Sequence, residues 1–187
     1  MTLSPEIINY GPLAGLIGRW EGDKGVDIAP EPDGSETNPY YESLTFEPVG
    51  LVTNAEEQVL AALSYKQIVR RKADDEIFHH EAGYWIWDAA AEIVMHSLAI
   101  PRAVILLAGG TARAGSNGAM VLEVSAAIDD PDWSIVQSPF MNAKAKTTAF
   151  TQKVTLRDDQ LTYTETTSLT IYGRAFEHTD SNTLQRA

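Results

Sequence analysis

Apolar and polar residues alternate along most of this chain. Glu42, Leu44 and Phe46 fall on one face of residues 40–46, and Val59, Ala61, Leu63, Tyr65 and Val69 share a face of residues 59–69. A period of two in β-branched and aromatic segments predicts half-buried strands. The pattern recurs over residues 79–87, 92–100, 102–108 and 120–127, with a short candidate at 134–138. Residues 145–156 and 160–172 form the clearest hairpin, because Arg157, Asp158 and Asp159 interrupt two Thr-rich strand patterns. Charged residues 70–76 predict a turn, as do Gly109, Gly110, Gly115, Asn117 and Gly118. Residues 12–17 suit one or two helical turns, with Pro12 near the start and Gly18 as the stop. Residues 22–40 hold Pro30, Pro32, Asp33, Gly34, Asn38 and Pro39, and read as a long loop that lines or covers an opening.

With a short final segment near Thr183, these pieces number about ten, enough to close a barrel around one small ligand. The fold class expected is all-β: one antiparallel barrel behind a short N-terminal helical cap, with residues 1–12 as an extension and 13–187 as the domain. Closure would remove the edge strands that a flat sheet of this size exposes. A two-layer sandwich predicts the same alternation and differs in whether the first and last strands pair.

Composition narrows the function. The chain has 187 residues, 44% of them hydrophobic, and a formal charge of −12, so phosphate backbones and anionic membranes are repelled over most of the surface. No nucleic-acid partner and no membrane association are expected. Without cysteine, disulfides, thiolate metal sites and cysteine nucleophiles are excluded. The first ten residues carry Glu6 and no basic segment, so they do not read as a secretory signal, and a cytoplasmic location is the default.

Several residues are candidates for chemistry. Trp20, between Gly18 and Gly22, suits a seal at the closed end of the barrel. Trp85 and Trp87 share one face, with Tyr84 and Ile86 on the other, and one pair is expected to face the cavity. His79 and His80 are adjacent in a strand and point to opposite faces, which defeats a shared metal site. His79 and Glu81 share a face, as a polar network inside the barrel or as a surface salt bridge. His96 sits in an apolar strand as a cavity donor or a satisfied structural histidine. Arg102 follows Pro101 and could reach a carboxylate at the cavity mouth, or form a rim salt bridge. Tyr65, Tyr163 and Tyr172 suit ligand orientation or core packing alike. There is no Gly-x-Ser-x-Gly elbow and no phosphate-binding glycine loop. Asp74 with Asp75, and Asp158 with Asp159, read as solvated turn acids.

The stretch LAGLIGRWEGDKG at residues 13–25 resembles the opening of the nitrobindin-like, fatty-acid-binding-protein-like β-barrels, where a short cap leads through Gly18 and Trp20 into the first strand. Residues 40–67, FHHEAGYW at 78–85 and TETTS at 164–168 resemble later strands of that family in order and spacing. The resemblance spans residues 13–186, with 111–142 matching poorly. It implies a ten-stranded, calycin-like barrel and, in several relatives, a ferric haem held by one histidine that binds nitric oxide or isomerises peroxynitrite to nitrate. His178 is the nearest match to that histidine, displaced by two residues, about 6.8 Å along a strand, so a bulge or bend would be needed to restore its place. The candidate cofactor-binding residues are therefore His178, His96, Arg102 and His79, with His178 as metal ligand and haem as candidate cofactor. The other local structure for His178 ends the strand there, followed by a polar turn at Asp180, Ser181 and Asn182. The first functional expectation is a carrier or sensor for a small hydrophobic or amphipathic molecule. The alternatives are the haem protein and a module with a filled cavity, and a homodimer is compatible with all three.

Overall fold

A computed structural model describes residues 8–187; residues 1–7 of the expected extension lie outside the described residues. A 3-10 turn at Gly11–Leu16 precedes β1 (Gly18–Glu31), β2 (Gly34–Asn54), β3 (Gln58–Arg71), β4 (Ile77–Asp88), β5 (Ile93–Ile100) and β6 (Val104–Ala114). There follow β7 (Met120–Ala127), the short β8 (Ile135–Gln137), α1 (Pro139–Lys144), β9 (Ala145–Arg157), β10 (Gln160–Ile171) and β11 (Arg174–Arg186). The long strands pair antiparallel in an order that joins β1 to β11 and β5 to β6. Ten strands thus close a ring, with β8 attached to β6. Pairing of the first and last strands excludes the sandwich. Among the described residues no helix is long and apolar enough to cross a membrane.

Closure follows from the alternation. Inward positions of neighbouring strands bury Leu44, Phe46, Leu63, Tyr65, Trp85, Val94, Phe150, Leu161 and Leu184 in one cluster, and a closed sheet gives every one of them an opposing wall. The 3-10 turn seals one end: Leu13, Leu16 and Trp20 are fully buried, Trp20 Nε1 donates to the Leu16 carbonyl at 2.7 Å, and the Arg186 guanidinium lies 4.2 Å from the indole centre. The seal expected of Trp20 is therefore present.

Three local expectations are corrected. Residues 22–40 are no loop but the paired arms of β1 and β2 around a turn at Pro32 and Asp33. Their prolines are tolerated because β1 pairs with β11 only as far as Ile28, before Pro30, and β2 pairs with β3 only from Tyr40, after Pro39. Each stretch has a strand on one side only, where the missing N–H costs no ladder bond. Gly109 and Gly110 lie within β6, not in a turn. A Cβ on Gly109 would stand 2.1 Å from the Trp133 ring and one on Gly110 would stand 1.9 Å from the Glu123 carbonyl oxygen, so both glycines admit close approach inside a strand. Finally, Asp180, Ser181 and Asn182 are not a turn: β11 continues through them to Arg186. Asn182 faces inward and donates to Glu42 Oε1 at 2.8 Å, so a polar sequence remains in the strand because the interior is polar there.

Candidate functional site

At the end opposite the 3-10 turn the barrel is hollow. The cavity measures about 420 Å³ and reaches the turns after β1, β5 and β10. One sector of its wall is apolar, with Leu98 and Ile100 from β5, Val104 and Leu106 from β6, and Phe150 from β9. The other carries Asp27 from β1, Glu81 from β4, Glu165 from β10 and Asp180 from β11. Asp27 stands opposite Asp180, and Asp180 opposite Glu165. Three carboxyl groups therefore line up across three adjacent strands.

His178 completes this row. Its Nε2 lies 2.6 Å from Asp27 Oδ1 and 3.5 Å from Asp180 Oδ2. Burial alone would lower the His178 pKa, but the Asp27 hydrogen bond and the charge of Asp180 outweigh it and raise the imidazole above its usual range. Burial among like charges pushes Asp180 up to about 6. It also pushes Glu165 well above the ordinary carboxylate range, aided by the charges of Glu81 and Asp180, although Gln152 Nε2 donates to it at 2.9 Å. The β10–β11 register is continuous from Gln160 opposite Gln185 to Ile171 opposite Arg174. The bulge that would carry His178 along its strand is absent from that pairing; the irregularities lie in the neighbouring pairings, β9 with β10 between Ser168 and Leu169 and β1 with β11 between Glu21 and Val26.

His79 also lines the cavity, with Nε2 3.4 Å from Glu81 Oε2, so this pair is the interior network and not the surface stripe. Tyr65 donates its hydroxyl to Glu81 Oε1 at 2.5 Å. Burial raises Glu81, but His79, His96 and the Tyr65 bond outweigh it and hold the carboxyl below its usual value. Deeper still, Glu42 accepts from Gln67 at 2.6 Å, Asn182 at 2.8 Å and Tyr163 at 3.2 Å, and burial pushes its carboxyl up to about 7. Tyr40 shares a 2.6 Å hydroxyl contact with Tyr163, and its ring covers Gly25, where any Cβ would meet it at 2.1 Å.

His96 is not on the main cavity wall. It is 1% exposed, stacked at 4.3 Å on Trp85, and neither ring nitrogen has a hydrogen-bond partner among the described residues. Burial pushes its pKa down to about 4, and it borders a void of about 10 Å³ with Gln152 and Tyr163. Arg102 lies at the exposed rim of the cavity and donates to the Phe78 carbonyl at 3.3 Å, a backbone bond in place of the expected rim salt bridge. Tyr172 is exposed in the β10–β11 turn, whereas Tyr65 and Tyr163 are buried polar members of the interior. The structure thus brings together His178, His79 and Arg102, and sets His96 apart.

Sequence reasoning missed Asp27 and Glu165 as wall residues; Asp180, two residues after His178, was in view only as a group that could help orient its surroundings. Glu42 was visible on the face of Leu44 and Phe46, and a carboxylate on a buried face is the signal that would have found such groups.

Residues 9–186 match the THAP4-like, heme-binding β-barrel domain. The chain belongs to this family. The nitrobindin-like resemblance drawn from residues 13–25, 78–85 and 164–168 is thereby borne out. Among solved structures, Rv2717c from M. tuberculosis is similar with a TM-score of 0.70 and 24% identity, over 94% of each chain; that likeness concerns the fold. No curated protein sequence matches the chain.

Proposed function

We propose that this member of the family binds a small amphipathic molecule inside the barrel. The observation that carries the reading is the cavity of about 420 Å³, walled by apolar side chains on one sector and by titratable ones on the other. Ligand pockets have this size and this mixture of apolar wall and few convergent polar groups. Native mass spectrometry of protein purified from its own source, followed by extraction, tests it: an adduct of one small molecule per chain is expected. A bare mass, together with no uptake of any amphiphile, overturns it.

A second reading, haem as that molecule, is favoured by the family and by the Asp27–His178 pair. Metal-bound histidines characteristically present one ring nitrogen to the metal while a carboxylate holds the other, and the residues present suit haem in that respect. His178 would hold the iron and Arg102, at the rim, would face the propionates. Bound haem would supply nitric oxide binding or the isomerisation of peroxynitrite to nitrate. Asp27 would keep the imidazole oriented, and the apolar sector would exclude water from the porphyrin face. Hemin titration is expected to give a Soret band saturating at one per chain. In His178→Ala the axial histidine signature is lost and haem is released more readily; a free-hemin spectrum in the wild type, or an unchanged one in the variant, rejects His178 as ligand.

A further inference from the structure

The cavity wall is unusual in the sign of its charge. A pocket for an alkyl carboxylate sets guanidinium or hydroxyl donors against the head group, because an ionised carboxylate only accepts hydrogen bonds. Here the one guanidinium in the wall among the described residues, Arg102, stands at the exposed rim and donates to the Phe78 carbonyl, while the row across β1, β11 and β10 consists of Asp27, Asp180 and Glu165. Like charges directly opposite each other on neighbouring strands repel and destabilise the pair.

The hydrogen bonds do not remove this conflict. Asp27 is matched, by His178 Nε2 and by Asn38 Nδ2 at 3.1 Å. Glu81 is matched by Tyr65 and His79. Among the described residues Asp180 has only His178 Nε2 at 3.5 Å, and Asp27 holds that nitrogen at 2.6 Å. Glu165 has Gln152 as its one side-chain donor among the described residues, and that bond uses Oε2. The opposed carboxyl groups of Glu165 and Asp180 therefore line the hollow with one side-chain donor each among the described residues, fewer than two carboxylate oxygens accept. The second observation is independent of this charge: Leu98, Ile100, Val104, Leu106 and Phe150 wall the same cavity with apolar surface. That surface has room for a hydrocarbon chain and no use for a hydrated inorganic ion.

We propose that the cavity recognises a cation-headed amphiphile, an alkyl primary ammonium, with its N–H donors on Glu165 and Asp180 and its chain along the β5–β6 sector. This rests on the ligand-binding reading of the cavity and names its ligand class. An ammonium carries three donors and a full positive charge, which matches the two carboxyl groups and favours the ionised form that burial beside each other resists. A carboxylate head group in the same place would add a further negative charge to the row.

The test is isothermal titration of the full chain at neutral pH with decylamine, decanol and decanoate, each below its micelle concentration. Decylamine is expected to bind one per chain, at least tenfold tighter than decanol, and decanoate weakest of the three. The double variant Glu165→Gln with Asp180→Asn should bring decylamine to within about twofold of decanol on the same variant. A near-UV circular dichroism spectrum like that of the wild type certifies an intact barrel. The lost preference also separates the site from general attraction to a surface of charge −12, which a change of two charges barely alters. Decanoate binding as tightly as decylamine, or a decylamine preference that survives the double variant, overturns the ammonium assignment and leaves the cavity reading standing. Failure of all three ligands to bind overturns both.

Discussion

The two ends of the barrel are built from the same strands to opposite ends. Toward the 3-10 turn, inward positions hold Trp20 of β1, Leu63 of β3, Leu161 of β10 and Leu184 of β11, all fully buried. Toward the other end the same four strands present Asp27, Gln67, Glu165 and Asp180 around a cavity. Inward positions alternate along these strands, with one shift in β1 between Glu21 and Val26, so backbone closure does not require an apolar residue at every inward position. One end supplies most of the burial energy, and the other is left free to hold titratable groups that a well-packed core would exclude. Stability and chemistry are separated along the barrel axis instead of between domains.

The strongest way to break this division is to damage the sealed end. Trp20→Ala removes a fully buried indole, its 2.7 Å bond to Leu16 and the surface under Arg186. Its expected cost is about 3–5 kcal/mol, as for other large-to-small core changes, read from urea unfolding midpoints. A loss below about 1 kcal/mol would mean that the seal contributes little and that the two ends are not specialised as described.

A second, smaller effect separates the ends by pH. Burial raises Glu42 from 4.5 to about 7, so the folded protein holds this proton more tightly than the unfolded chain. Its stabilising contribution is complete below about pH 4.5 and is lost as pH rises through 7, on the order of 3 kcal/mol in all. Glu42→Gln should therefore lose less stability than the wild type between pH 5 and pH 8 in denaturant titrations. Parallel curves for the two proteins would show that Glu42 is not held protonated by the interior.

This division was only half legible in the sequence. Residues 40–46, 59–69 and 145–172 declared their strands because their alternation is local, and LAGLIGRW carried the cap and its tryptophan in one continuous stretch. The cavity row was illegible because Asp27, Glu165 and Asp180 come from three separate parts of the chain and meet only through the β1–β11 closure. Asp27 was further hidden within residues 22–40, where three prolines suggested a loop. Their tolerance depends on which side of each strand is paired, a property of the closed barrel. His79 and Glu81, two apart on β4, showed their shared face but not whether it turned inward. His178 was found through the family resemblance, while its carboxylate partner across the sheet was not.

The smallest expected effect is the sharpest for the hollow end. Glu165→Gln keeps the shape of the side chain, and its carbonyl can still accept from Gln152 Nε2, which now reaches Glu165 at 2.9 Å. What it removes is an acid directly opposite Asp180, whose burial and negative neighbours hold its pKa well above normal. A carboxyl raised in this way contributes stability that declines as pH rises toward its folded value, because ionisation is then resisted only by the folded protein. The amide has no such decline. The variant should match the wild type at pH 5 and gain up to about 1 kcal/mol at pH 8, the scale of a like-charge pair across two strands, measured by chemical denaturation without ligand. A gain here beside a large loss at Trp20 is what the division of labour demands, since sites arranged for binding commonly sacrifice stability. If Glu165→Gln instead loses more than 1 kcal/mol at pH 8, the carboxyl is holding the fold together, and the hollow end is a polar core of the barrel and not a place kept for a ligand.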